Sequence, residues 1–276
     1  TGCPRVTHKS VEVVRIAAGL HGSGEMQQAA LDRACVALER LCARATAYQV
    51  VVAKSVATGA LRLAVNRQAA LARLRSATEL DLEVISGVRE AQLSALGVAS
   101  QAGTGRWSMI DIGGTTTEIV TRGAIQIGRS FDIGVITLTE EAARVPPSQR
   151  ALHMRRRADQ AFAALVLPEP LPQPLFAAGG AAVALMTWRD RDSFLEFIGD
   201  GRASLGGAER AVIQAELLAT DEAQRGRRLG ISPDHAALVP AGIAILDALL
   251  ARLCVDAVIP TGRGVVEGLL WEMLAG

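Results

Sequence analysis

Residues 109–120 read Met-Ile-Asp-Ile-Gly-Gly-Thr-Thr-Thr-Glu-Ile-Val, and this segment limits the fold more than any other. An apolar run carries Asp111 to its end, two glycines make a tight turn, and a second β-branched run leads back. The pattern predicts a hairpin between strands at 107–112 and 117–121, followed by a third strand at 124–129. Glycine at 113 and 114 lets backbone approach a ligand with no Cβ in the way. Successive N–H groups at such a turn form a concave anion cradle, and the hydroxyls of Thr115, Thr116 and Thr117 add donors. Asp111 at the rim suits hydrated Mg²⁺, which takes one or two carboxylates together with water and phosphate oxygens. A surface hairpin that merely needs glycine would show the same residues. No GxxxxGK[ST] loop occurs, and neither lysine follows a glycine-rich turn.

Around this hairpin, strand-like and helix-like stretches alternate. Strands are expected at 11–16, 49–53 and 82–86, with a turn at 21–24. Helices are expected at 27–44, where apolar residues recur at three-and-four spacing, at 58–74 and at 88–96. The loop at 99–106 marks a boundary between a first lobe, 1–98, and a second, 99–276. The proline-rich stretch 167–174 is a connector. Leu175-Phe-Ala-Ala178 then reads as a strand running into Gly179-Gly180 and an alanine-rich helix. The last quarter is helical, with an apolar segment at 241–253, a short strand at 257–260 and a closing helix at 265–274. Alternation of this kind predicts an α/β fold with a largely parallel sheet.

Composition excludes several classes. The chain has 276 residues, half of them hydrophobic, and a formal charge of +1, so nothing draws it as a whole to nucleic acid or membrane. No uninterrupted apolar run approaches the roughly 18 residues of a bilayer span. Five Phe, three Trp and one Tyr leave little for base stacking. Cys3, Cys35, Cys42 and Cys254 form no CxxC, and His8, His21, His153 and His235 lack ligand spacing. Only Lys9 and Lys54 are lysines, so 27 of the 29 basic residues are arginine. Codon usage in a GC-rich genome and phosphate-gripping guanidinium forks both account for this bias. Arg155-Arg156-Arg157 reads either as a solvated helix face or as a polyphosphate-attracting patch.

The hairpin resembles the phosphate-binding turn of the actin, sugar kinase and Hsp70-like ATPase superfamily. Two upstream segments narrow the resemblance. Val56-Ala-Thr-Gly-Ala-Leu-Arg-Leu-Ala-Val-Asn66 is similar to the "ATSALR…N" stretch of the exopolyphosphatase/guanosine pentaphosphate phosphohydrolase (Ppx/GppA) family. Residues 84–98, Val-Ile-Ser-Gly-Val-Arg-Glu-Ala-Gln-Leu-Ser-Ala-Leu-Gly-Val, resemble its "ISGxEEAxLxxxGV". Ala177-Ala-Gly-Gly-Ala181 is similar to its second glycine turn, and 230–234 and 262–270 match its C-terminal segments loosely.

The resemblance implies two lobes of the actin-like (ribonuclease H-like) type facing across a cleft, in the short form, with the closing helix packed back on the first lobe. It implies release of terminal phosphate from inorganic polyphosphate or guanosine pentaphosphate in a cytoplasmic protein, with a homodimer expected. Carried over by position, Glu90 is the catalytic base and Asp111 holds Mg²⁺. Arg62 grips phosphate, residues 113–117 line the terminal phosphate, and Gly179 and Gly180 hold a further phosphate or a nucleoside. Read without the motif, Arg89-Glu90 is solvated helix charge and Arg62 a surface arginine. The chain departs from the motifs at Arg89, Thr115, Thr116, Ala181 and Val266. The family's opening D-[IL]-G-[ST]-N loop has no counterpart in residues 1–30, and a truncated N-terminus is the expectation. The rival readings are a non-catalytic polyphosphate or guanosine polyphosphate sensor, and a kinase or hydantoinase-like ATPase of the same superfamily.

Overall fold

Two layers of side chains, one on each face of a five-stranded sheet, set the position of everything else. The computed structural model describes residues 8–50, 54–78, 80–122, 127–166, 171–194, 197, 199 and 203–275. The first part of the chain contains α1 (Leu20–Ser23), α2 (Gln28–Ala47), β1 (Ser55–Ala57), α3 (Gly59–Leu63), α4 (Arg67–Thr78) and β2 (Leu82–Val84). The strands β1 and β2 pair in parallel, and Leu31, Ala34, Leu61, Ala70 and Leu74 fill the core beside them. Next comes α5 (Gly87–Ala102), then the strands β3 (Trp107–Ile112), β4 (Thr117–Arg122) and β5 (Ile127–Phe131). After α6 (Val135–Ala143) and α7 (Arg150–Phe162) the chain forms β6 (Leu175–Gly179) and α8 (Gly180–Asp190). The remaining elements are α9 (Gly207–Leu218), α10 (Glu222–Leu229), α11 (Pro233–Ala236), α12 (Val239–Leu253), β7 (Ile259–Pro260) and α13 (Val265–Ala275).

The large sheet has the order β5-β4-β3-β6-β7. Its first three strands form an antiparallel meander, and β6 and β7 join parallel to β3. A parallel neighbour requires a crossover, and the helices α6 and α7 between β5 and β6 supply it. One face is covered by α6, α7, α8 and α12, whose buried residues include Phe162, Leu185, Trp188 and Leu246. The other face packs Trp107, Met109, Val120 and Phe176 against Ala91, Ala95 and Val98 of α5. The division expected between residues 98 and 99 lies inside this helix. On α5 in turn lies α13, and the two cross through glycines. A Cβ at Gly97 would meet Gly264 O, and one at Gly268 would meet Leu93 O, both far inside van der Waals contact. Arg89 closes the crossing, its Nη2 2.5 Å from both carboxylate oxygens of Glu272.

Several expectations need correction. Residues 11–16 form no strand, because the Val14 and Arg15 carbonyls accept from the Arg33 guanidinium, and Arg15 has φ 47°. The turn expected at 21–24 is the short helix α1, closed by Gly24 with φ 72°. The helix expected over 58–74 is two helices. Ala64 turns extended, and the Asn66 amide binds both backbone groups of Met26. Residues 51–53 of the expected 49–53 strand, Cys3 and parts of the 124–129 and 167–174 segments lie outside the described residues. Residues 233–253 are long and apolar enough to cross a membrane, but 61% of an 18-residue window within them is buried inside the fold, where α12 packs on α7 and α8.

Candidate active site

The hairpin register decides what the acids do. Gly113 N donates to Thr116 O at 2.9 Å, which closes the turn, and Ile112 then pairs with Thr117. The next pair back is Asp111 with Glu118. Glu118 pairs onward with Ser130 of β5, and Asp111 with Ala178 of β6. One row across the sheet therefore reads Ala178, Asp111, Glu118, Ser130, on the face that α5 covers. From α5, Ser94 Oγ donates to Asp111 Oδ2 at 2.6 Å, and Ser130 Oγ donates to Glu118 Oε1 at 2.7 Å. Glu90 stands one helical turn before Ser94 and so shares its face.

This crowding raises the proton affinity of both sheet carboxyls. Burial pushes Asp111 up to about 6, with Glu90 and Glu267 adding to the rise and the Ser94 bond opposing it. Burial pushes Glu118 up to about 8, with Asp111 and Glu90 adding while Ser130 and Thr116 oppose. The two sheet carboxyls and Glu90 thus repel one another, and each raised carboxyl holds its proton more tightly than it would in water.

Glu90 is buried, and Arg62 Nη1 donates to its Oε2 at 2.8 Å and to Ile85 O at 3.2 Å. Arg62 is therefore neither a surface arginine nor an unengaged fork; it is the partner of Glu90. The Ser86 hydroxyl caps α5 by accepting from Arg89 N, which fixes the helix turn that carries Glu90. Arg89 points away from the acids, to Glu272.

Gly113 and Gly114 are pinned from behind, their carbonyls accepting from Val135 N and Ile136 N at the start of α6. Thr115 and Thr116 face Gly59 of α3. Thr117 is a correction: it is fully buried and its hydroxyl donates to Ile133 O at 2.6 Å, so it ties the hairpin to the β5–α6 loop and lines no ligand. Gly179 has φ 95°, and a Cβ there would strike the Ile112 backbone, so glycine is obligatory. The strands β3 and β6 are parallel neighbours, so the two glycine turns lie side by side at their carboxyl ends, the usual ligand crevice of such sheets.

Glu90, Asp111, Gly179 and Gly180 line one cavity of about 410 Å³. Lys9 and the Gly262–Gly264 loop close its opposite wall. Lys9 Nζ donates to Gly262 O at 2.8 Å and to Glu267 Oε1 at 3.0 Å. Sequence reading missed Glu118, Ser94 and Lys9. Hairpin pairing outward from 112 and 117 finds Glu118, and four-residue spacing from Glu90 finds Ser94. No local signal marks Lys9, whose partners lie more than 250 positions away.

The sequence pattern of the Ppx/GppA phosphatase family matches residues 2–276. The chain belongs to the Ppx/GppA phosphatase family. Solved structures agree on the fold. An exopolyphosphatase-like protein superposes with a TM-score of 0.81 at 20% identity, over 96% of this chain and 90% of its own. An exopolyphosphatase from Cytophaga hutchinsonii gives 0.80 at 22%, over 92% and 85%. The Ppx/GppA family member of Aquifex aeolicus gives 0.72 at 21%, over 96% and 87%. The fold is thus the helix-rich, mixed α/β fold shared with these family members.

Proposed function

We propose that this Ppx/GppA phosphatase hydrolyses the terminal phosphoanhydride of inorganic polyphosphate, with guanosine pentaphosphate as the alternative substrate. The observation that carries the reading is the meeting of Glu90 with Asp111 and the second glycine turn, Gly179-Gly180, in one cavity. In the reaction a water oxygen bonds to the terminal phosphorus and the bridging P–O bond breaks. The products are orthophosphate and a chain one residue shorter. Glu90 accepts the water's proton, and the turn's amides stabilise charge on the phosphoryl oxygens. Arg62 holds the Glu90 carboxylate in place.

Mg²⁺ fits this donor set. It keeps most of its water and needs one or two carboxylates plus phosphate oxygens, so Asp111, the sheet carboxylate that lines the cavity, is the residue that would hold it. No cluster of three metal-ligating side chains exists among the described residues, and none is required. Mg²⁺ would supply neutralisation of phosphoryl charge. Excluding bulk water, orienting the chain and moving the proton fall to the protein. The same reading expects a cytoplasmic homodimer with no nucleic-acid or membrane partner.

The test is phosphate release from long-chain polyphosphate with Mg²⁺, compared with Glu90→Ala. Release that vanishes in the variant supports hydrolysis with Glu90 as base. Tight polyphosphate binding with no release from the parent chain would instead make it a sensor, and ATP-dependent phosphorylation of an added acceptor would make it a kinase.

A further inference from the structure

The cavity that holds Glu90 and Asp111 has few cations to meet a chain of phosphates. Of its described lining residues only Lys9 and Arg263 carry positive charge, and Arg263 Nη1 is turned to α5, donating to Ser100 Oγ at 2.6 Å. Arg62 Nη1 is engaged by Glu90. Lys9 is also one of only two lysines among 29 basic residues. Its Nζ donates to Gly262 O at 2.8 Å and to Glu267 Oε1 at 3.0 Å, and an ammonium has three N–H donors, so these bonds leave one uncommitted. Solvent reaches the pair, with the Lys9 side chain 27% exposed, and such pairs add little to stability. Nor does Glu267 depend on Lys9 for its position. It stands on α13, and its Oε2 accepts from Gly264 N at 2.8 Å. The ammonium can therefore leave while the carboxylate stays.

We propose that Lys9 is a substrate-contacting residue whose ammonium exchanges the Glu267 carboxylate for an anionic oxygen of the bound phosphate chain. The inference deepens the phosphohydrolase reading above and rests on it. Lysine suits such an exchange better than arginine does. Its charge is compact, its three donors rotate on a flexible stem, and it needs no planar, two-point partner. Glu267 then sets how tightly the chain is held, because carboxylate and phosphate compete for one ammonium.

A double-mutant cycle in the full chain tests it: the parent, Lys9→Met, Glu267→Gln and the two combined. Each is followed by melting temperature and by KM and kcat for long-chain polyphosphate with Mg²⁺. Lys9→Met keeps an unbranched stem and removes the charge. It raises KM roughly tenfold to a hundredfold, the range for a hydrogen bond to a charged group, and changes kcat less. Glu267→Gln lowers KM roughly two- to fivefold, the range for a solvent-reached ion pair, because Lys9 loses its competitor. That lowering vanishes when Lys9→Met is also present. The parent's KM in Lys9→Met would overturn the contact. A raised KM and a lowered melting temperature in both single variants would make the pair a structural brace and overturn it too. A KM lowered equally by Glu267→Gln in both backgrounds would overturn the exchange, since the carboxylate would then act by its charge alone. If the parent bound polyphosphate but released no phosphate, the hydrolase reading would fall by itself. The dissociation constants of the same four proteins would then decide the role of Lys9 by the same criteria. A parent that did not bind polyphosphate would overturn both.

Discussion

Arg62 and Glu90, 28 positions apart, form an ion pair with Nη1 2.8 Å from Oε2 at the edge of the glycine hairpin. The pair puts the candidate base and the guanidinium bonded to it in one unit. Glu90→Gln is expected to reduce phosphate release roughly 10²- to 10⁴-fold, the usual range for loss of a general base. Arg62→Lys keeps the charge but, with a shorter side chain, moves the donor off the position from which Nη1 serves both Glu90 and Ile85 O, so a fall in kcat with retained folding is expected. Steady-state kinetics with circular dichroism of both variants checks this.

Stability of the metal-free protein should fall as pH rises. Glu118 has its carboxyl raised from the ordinary 4.5 to about 8, so between those values the folded chain holds a proton that the unfolded chain has lost. The stabilisation is complete below 4.5 and disappears as pH passes about 8. Asp111, raised from 3.8 to about 6, adds in the same direction over its own window. Urea melts with chelator from pH 5 to 8.5 should show this decline, and Glu118→Gln should flatten it. A stability that rises across the window would refute the assignment.

Mg²⁺ should relieve the same repulsion. At pH 8 its addition is expected to raise the melting temperature, with a stabilisation of about 2.7 kcal/mol at a hundredfold excess over Kd. Asp111→Asn should remove most of that response. Equal shifts in parent and variant would place the ion elsewhere.

Gly268 bears on the site from a distance. A Cβ there would press on the Leu93 carbonyl, which is backbone and cannot swing aside. Gly268→Ala is expected to cost roughly 1–3 kcal/mol, as overfilled contacts do. It should also lower kcat, because Leu93 lies between Glu90 and Ser94 along α5. Chemical denaturation together with the Glu90-dependent release rate reads both effects.

What was legible in the sequence was whatever short-range pattern fixes. The hairpin at Asp111, the second glycine turn at Gly179 and the helix carrying Glu90 all follow from local apolar spacing and turn chemistry. Residues 11–16 misled because alternation also describes an extended segment whose carbonyls are taken by an arginine side chain, Arg33. Thr117 was misplaced because a hydroxyl's direction depends on strand parity, and its partner Ile133 comes from a loop 16 positions on. Asn66 bonds to Met26 across 40 positions and breaks a helix that propensity alone would continue. Lys9 joins the cavity wall only through contacts that form when distant parts of the chain meet.

The crossing of α5 and α13 has a consequence for how the chain comes to life. Arg89 and Glu272, which clasp the two helices, are separated by 183 positions. During synthesis the strands β3 to β5 can form long before α13 leaves the ribosome, and α5 can settle loosely on them. Until α13 arrives, the back of α5 is bare, and the turn that carries Glu90 has its Ser86 cap and its Arg62 partner without the Arg89–Glu272 clasp. The site is therefore completed late, and a ribosome-stalled chain ending before residue 265 would have its phosphate turn folded while its base was held less firmly.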